Sequence, residues 1–298
     1  MICTHEGNLS LQVVRSLPSL LTKQKKRKEI QLKNKAVVAT AAALGIALLF
    51  YAQGARAANP AIDNGSLYQN PWGPVNPQNQ ASTGFAPWVF DQYNTPISPF
   101  FIDTVKGAWG IQVPADSNGT TAYDAAWRSF TGDGALDPGQ TFSTAVLFTP
   151  PGPYSTTELP TEGVDFFAQD PGVPSSYDTF GHQVLGIYLG PNTPSGPRFT
   201  LAVHNTLSDE QANIYVAIPL AFTGTLSKPQ LLHIHFTQHA QGNWVLKMVS
   251  GIGAVVLTSH EYGATWNTVQ GLDAVRYFTS QGGTSPGGPL EWKHMSVR

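Results

Sequence analysis

Charge is scarce in this chain. Asp, Glu, Lys and Arg make up 12% of its 298 residues, against roughly 25% in an average globular domain. The basic stripe of a nucleic-acid binder is missing. Long helical stretches are missing too. The chain's 29 glycines and 23 prolines break it too often for a coiled coil or a helical bundle. Cysteine is almost absent. The one cysteine, Cys3, lies in the N-terminal leader. The rest of the chain therefore has no disulfide, no Cys–zinc or iron–sulfur site and no thiol nucleophile.

Several catalytic signatures are also lacking. Glycoside hydrolysis needs two carboxylates about 5–9 Å apart across the scissile bond. No E-x-D-x-x-E or E-x-D-x-E strand is present. Glu158-Leu-Pro-Thr-Glu162-Gly-Val-Asp165 comes nearest, but Pro160 and Gly163 interrupt any single strand face. Glu261 and Asp273 form only a loose second pair. There is no G-x-S-x-G elbow, no P-loop, and no G-x-G-x-x-G after a strand.

What charge there is divides sharply along the chain. Residues 1–57 hold nine Lys or Arg and two acids, whereas residues 58–298 hold eight basic and seventeen acidic residues, a net charge of −9. Lys23-Gln-Lys-Lys-Arg-Lys28 and Lys33-Asn-Lys35 precede an uncharged apolar run, 36–52, and then Ala55-Arg56-Ala57. That order is the one expected of a secretory signal peptide cleaved before Ala58. A secreted, extracellular or periplasmic location follows, with no membrane span once the leader is removed. No Cys stands at the cleavage point, so a lipoprotein anchor is not expected.

Residues 58–80 are rich in Asn, Pro and Gly and read as an extended surface lead-in. From Ala81 to Arg298, short apolar runs alternate with turn clusters. β-branched and aromatic residues recur in runs such as Ala122–Phe130, Gln140–Phe148, Gln230–Thr237 and Leu290–Val297. The one weak helical candidate is Ser208–Asn213. Many short strands at regular spacing predict one all-β domain, an antiparallel two-sheet sandwich of jelly-roll or concanavalin A-like form.

Period-2 alternation places Phe142, Thr144, Val146 and Phe148 on one strand face. Arg128 and Phe130 share a face, as do Leu272, Ala274, Arg276 and Phe278. An arginine on an apolar face needs a carboxylate or carbonyl partner, so Arg128 and Arg276 read as scaffolding.

Gly84-Phe-Ala-Pro-Trp-Val-Phe90, Ala126-Trp-Arg-Ser-Phe130, Leu136-Asp-Pro-Gly-Gln-Thr-Phe-Ser143, Gly271-Leu-Asp-Ala-Val-Arg-Tyr-Phe278 and Leu290-Glu-Trp-Lys-His-Met-Ser-Val297 carry a resemblance. Patchily over 84–297, the chain resembles a family of exported bacterial β-sandwich proteins of the concanavalin A-like lectin/glucanase type. Members often end in a sorting tail, which this sequence lacks. The resemblance implies a fold more than an activity.

Two features suggest binding. In Leu231-Leu-His233-Ile-His235-Phe-Thr-Gln-His239, His233 and His235 project from one strand face. Two imidazoles on one face are candidate ligands for a transition metal, with His239 as a third. Equally, they suit a polar sheet face. Aromatics are plentiful, and Trp127 and Trp244 are candidate platforms for a sugar ring. Asp133 and Asp137 flank a Gly-rich turn and are candidates for a structural Ca²⁺. The expectation is a secreted, non-catalytic module binding carbohydrate or cell-surface matrix. The alternatives are a metal-dependent enzyme built on His233 and His235, a glycoside hydrolase of the same fold, and a structural surface protein. The oligomeric state is left open.

Overall fold

The computed structural model describes residues 61–76, 78, 84–93, 99–113, 122–130, 136–151, 161–167, 183–190, 196–203, 214–240, 243–262, 272, 274–281 and 288–298. The expected signal peptide, the helical candidate Ser208–Asn213, and the residues Asp133, Glu158 and Asp273 lie outside them.

Within these residues the chain is built from strands. They are β1 (Ala61–Asn64), β2 (Val89–Tyr93), β3 (Phe100–Asp103), β4 (Ala108–Ile111), β5 (Ala122–Ser129), β6 (Thr141–Phe148), β7 (Thr161–Phe167), β8 (Gln183–Gly190), β9 (Arg198–Val203), β10 (Ile214–Ala217), β11 (Gln230–Gln238), β12 (Trp244–Ser250), β13 (Gly253–Thr258), β14 (Ala274–Gln281) and β15 (Leu290–Val297). The described helices are a 3₁₀ turn at Gly65–Leu67 and one α-turn at Ser259–Tyr262. No helix among the described residues is long and apolar enough to cross a membrane.

The strands form two antiparallel sheets. One has eight strands in the order β13-β12-β11-β6-β15-β4-β3, with β1 also paired to β15. The other has seven, in the order β10-β9-β8-β7-β14-β5-β2. The chain passes from one sheet to the other repeatedly, so β14 lies between β5 and β7, and β15 between β6 and β4. This is the expected all-β, jelly-roll-like sandwich. Alternation supplies its core. Phe142, Val146 and Phe148 of β6 and Leu232, Ile234 and Phe236 of β11 turn inward, against Val164, Phe166, Phe199 and Leu201 of the other sheet. At about 25 cal/mol per Å² of apolar surface buried, these side chains dominate the folding free energy.

The lead-in expectation for 58–80 is corrected. β1 pairs with β15, Ala61 facing Val297 and Asn64 facing His294. Asp63 and Trp72 are buried, and Trp72 packs edge-on against Trp88, Phe90, Phe100 and Trp292. Asp63 is held there by an ion pair with Arg128 of β5, itself buried. Asp63 also accepts a 2.6 Å hydrogen bond from the Tyr68 hydroxyl, and Arg128 Nε donates to the Ala86 carbonyl at 2.5 Å. Arg128 thus has the carboxylate and carbonyl partners that its apolar surroundings demand. The carboxylate comes from a segment whose Pro and Asn content masked its burial.

Arg276 is likewise paired. Its Nε donates to Asp165 Oδ2 at 2.9 Å, on the side of the seven-stranded sheet that faces away from the main core. Asp165 Oδ1 also accepts from Gln183 Nε2 at 2.7 Å. Gly186 makes room for this cluster: a Cβ there would stand 2.6 Å from Asp165 Oδ1 and 2.5 Å from the Tyr188 hydroxyl.

Candidate functional site

The outward face of the eight-stranded sheet carries the histidines. On β11 the even-numbered side chains Leu232, Ile234 and Phe236 fill the core, so His233 and His235 face out, half-buried. His235 lies across from Ser143 on β6 and Lys247 on β12. The Ser143 hydroxyl and His235 Nδ1 are 2.9 Å apart, in hydrogen-bond contact. Ser143 in turn faces Ser296 of β15, which faces Ile62 of β1. A polar row therefore crosses four strands, β12, β11, β6 and β15, and ends at Ile62 of β1.

A third histidine joins this face through a β-bulge. Between Trp292 and Met295 the β15–β6 register shifts. Two residues, Lys293 and His294, stand where β6 supplies one, Ala145. Trp292 and Met295 consequently both point into the core, and His294 turns outward opposite Asn64. The bulge carbonyl is satisfied: Thr144 Oγ donates to the His294 carbonyl at 2.9 Å.

Two cavities open along this face. The larger, about 770 Å³, is lined among others by Thr223, Lys228, Gln230, His233, Ser250 and Ile252. The smaller, about 330 Å³, is bounded by Ile62, Asn64, Ser143, His235, His294, Ser296 and Arg298. No carboxylate among the described residues lines either one. His233 lines the larger and His235 the smaller, and two residues along one strand separate them by about 7 Å.

Both His235 and His294 are held below the usual imidazole range. Burial is the main cause for each. Neighbouring basic groups add to it, His233 and Lys247 for His235, and His233, His235 and Arg298 for His294. In the neutral state each ring offers one donor and one acceptor.

Some expected site residues stand elsewhere. Trp127 is 1% exposed and so is Trp244, so neither presents a ring face to a ligand. Trp127 sits on β5 opposite Arg276 and packs against Phe167. Trp244 is a core residue stacked on Phe236 and Tyr262. These two platform assignments are corrected: large flat rings in a low-charge sandwich fill its layers first. His239 does not join His233 and His235. It is exposed beyond the end of β11, its backbone N–H bonded to the Asn243 carbonyl at 2.8 Å. Among the described residues no three His, Cys, Asp or Glu side chains gather in a metal-holding group. Asp137 lies in a turn that its own carbonyl closes by accepting the Gln140 N–H at 2.9 Å.

The nearest hydrolase pair also separates. Glu162 and Asp165 are three residues apart on β7, which puts them on opposite faces. Glu162 is buried in the core, where its Oε1 accepts the Thr149 N–H at 3.0 Å, while Asp165 is engaged by Arg276.

His294 escaped the sequence reading, although a signal for it exists. The apolar residues Leu290 and Trp292 keep one phase and Met295 and Val297 the other. A phase change within one strand marks a bulge.

No protein-family model matches the chain, and no curated protein sequence matches it. Solved structures do. An endo-1,3-beta-glucanase from Streptomyces sioyaensis is 15% identical with a TM-score of 0.48, over 70% of this chain and 88% of that one. The metal-free Emp46p carbohydrate recognition domain is 9% identical with a TM-score of 0.43, over 70% and 87%. An alginate lyase from Klebsiella pneumoniae is 8% identical with a TM-score of 0.40, over 67% and 84%. These neighbours are concanavalin A-like sandwiches. The likeness concerns fold alone, and none of their functional residues is carried over.

Proposed function

We propose that this chain is a secreted, non-catalytic carbohydrate-binding sandwich whose binding surface is the outward face of the eight-stranded sheet. The observation that carries the reading is the pair of cavities on this face, one lined by His233 and the other by His235. Their linings mix hydroxyl, amide, imidazole and ammonium groups with the apolar edges of Leu231, Val249 and Ile252. A sugar ring has the matching mixture of hydroxyls and C–H faces, and small ligands are oriented by a few convergent polar groups on an apolar floor. The rigid strands beneath hold those groups at fixed spacing. The leader supports export, through its basic segment, apolar run and Ala55-Arg56-Ala57.

A glycan array probed with protein purified from culture medium tests the reading. The expected result is retention on a restricted set of glycans, lost in His233→Ala/His235→Ala at unchanged melting temperature. No retention on any glycan would remove the proposal. The mass of the same preparation tests export. A chain beginning at Ala58 is expected, and an intact leader on secreted protein would contradict cleavage.

A further inference from the structure

Cations are few in the body of this chain, so where they gather carries information. Residues 58–298 hold eight Lys or Arg against seventeen Asp or Glu. Arg128 and Arg276 are engaged by the buried carboxylates Asp63 and Asp165. Lys106 bridges Asp103 and Glu291. Of the five others, Lys228 lines the larger cavity and Arg298 the smaller. Lys247 lies across from His235 in the strand register. Lys247 and Arg298 share one sheet face with His233, His235 and His294, and Lys228 borders it from the turn before β11; no described carboxylate lines a cavity there. An acidic body thus carries a cationic stripe on its outward eight-stranded face.

The smaller cavity is also rich in hydrogen-bond donors. Arg298 brings a guanidinium, which suits a planar or tetrahedral anion. Asn64 adds an amide, Ser143 and Ser296 hydroxyls, and His235 and His294 ring nitrogens. The bulge that turns His294 outward is anchored from the core through Thr144, so the donors converge on a fixed frame. A peptide adding itself as a strand needs an open sheet edge. Here the cavity lies on a sheet face, over β11, β6 and β15, each already paired on both sides, and only β1 at its rim is paired on one side, which favours a ligand read by side chains.

We propose that the cavity formed by Asn64, Ser143, His235, His294, Ser296 and Arg298 binds the carboxylate or sulfate group of an acidic polysaccharide. The sugar chain continues across β11 into the larger cavity beside His233 and Lys228. The inference rests on the carbohydrate-binding reading above and names its ligand class. Association is electrostatically assisted and weakens with salt as the stripe is screened.

Calorimetric titration of the purified protein with oligogalacturonate, sulfated dextran, neutral dextran and polyglutamate tests this, beside the glycan array. At least one of the two anionic glycans is expected to bind at least five-fold more tightly than neutral dextran at low salt. His294→Ala and Arg298→Ala should each remove that advantage. Neutral glycans bound with no preference for the anionic ones would overturn the acidic-ligand proposal and leave the carbohydrate reading standing. Absence of binding to every glycan would remove both. Polyglutamate bound as tightly as oligogalacturonate, and equally weakened by Arg298→Ala, would point to an acidic protein partner and overturn the proposal. The two substituted side chains lie on the surface cavity, and unchanged melting of both variants separates lost contacts from lost fold.

Discussion

Thr144 links the core to the site: its hydroxyl donates to the His294 carbonyl at 2.9 Å and accepts from the Tyr277 hydroxyl at 2.8 Å. The three groups form a hydrogen-bonded chain from the seven-stranded sheet, through β6, to the bulge of β15. Tyr277 is itself stacked on Trp292, with ring centroids 4.2 Å apart. Thr144→Val keeps the shape and removes both bonds. The buried Tyr277 hydroxyl then loses its acceptor, at a cost of about 1–3 kcal/mol. Urea denaturation should show that loss, and ligand affinity should fall because the bulge is no longer pinned. A variant as stable as the parent would contradict this role.

The Asp63–Arg128 pair makes the first strand part of the fold. Asp63→Ala leaves a buried guanidinium without its carboxylate, and breaking such a pair costs about 3–5 kcal/mol. Replacing both members, as Asp63→Ala/Arg128→Met, should recover most of that loss, because a buried pair is worth little more than a well-packed apolar replacement. Thermal denaturation of the two variants checks the order. A double variant no better than Asp63→Ala would argue against an electrostatic origin.

Trp127 and Trp244 should behave as packing residues. Truncating either to Ala should cost about 3–5 kcal/mol. The conservative Trp244→Phe should fold with weakened stability and bind glycan as the parent does. Lost binding in a stably folded Trp244→Phe would restore that tryptophan to the ligand site.

Much of this arrangement was legible in the sequence. The alternation in Gln140–Phe148 and Gln230–Thr237 identified both strands and their inward faces, because burial of one face enforces a period of two. That same pattern put His233 and His235 together on the outside. The partner of Arg128 was hidden because Asp63 sits among Asn, Pro and Gly, which read as loop, and only tertiary pairing with β15 makes a strand of it. The tryptophans misled because composition reports how many rings exist and not which layer they occupy. His294 stayed hidden because it depends on an insertion in one strand relative to its neighbour, a property of two strands at once.

Stability should depend on pH at both ends. His235 and His294 have folded-state values depressed below 6.5. The unfolded chain therefore binds protons first, and stability is lost as pH falls from about 6.5 through the folded values. Glu162 is shifted the other way, well above 4.5, by burial. Its contribution is complete below 4.5 and declines as pH rises towards its folded value. Glu162→Gln should flatten that decline and raise the melting temperature at pH 8 relative to pH 5. The same slope in parent and variant would show that Glu162 is not its source.

The proposed glycan-binding surface is the histidine-bearing face. The most direct measurement is an NMR titration of the ¹⁵N-labelled histidine rings with a glycan retained on the array, or with oligogalacturonate. The ring signals of His233, His235 and His294 should move together and saturate at one affinity, while exposed His239 stays in place. Binding that saturates by calorimetry while those three rings remain unshifted would place the ligand elsewhere and contradict the account.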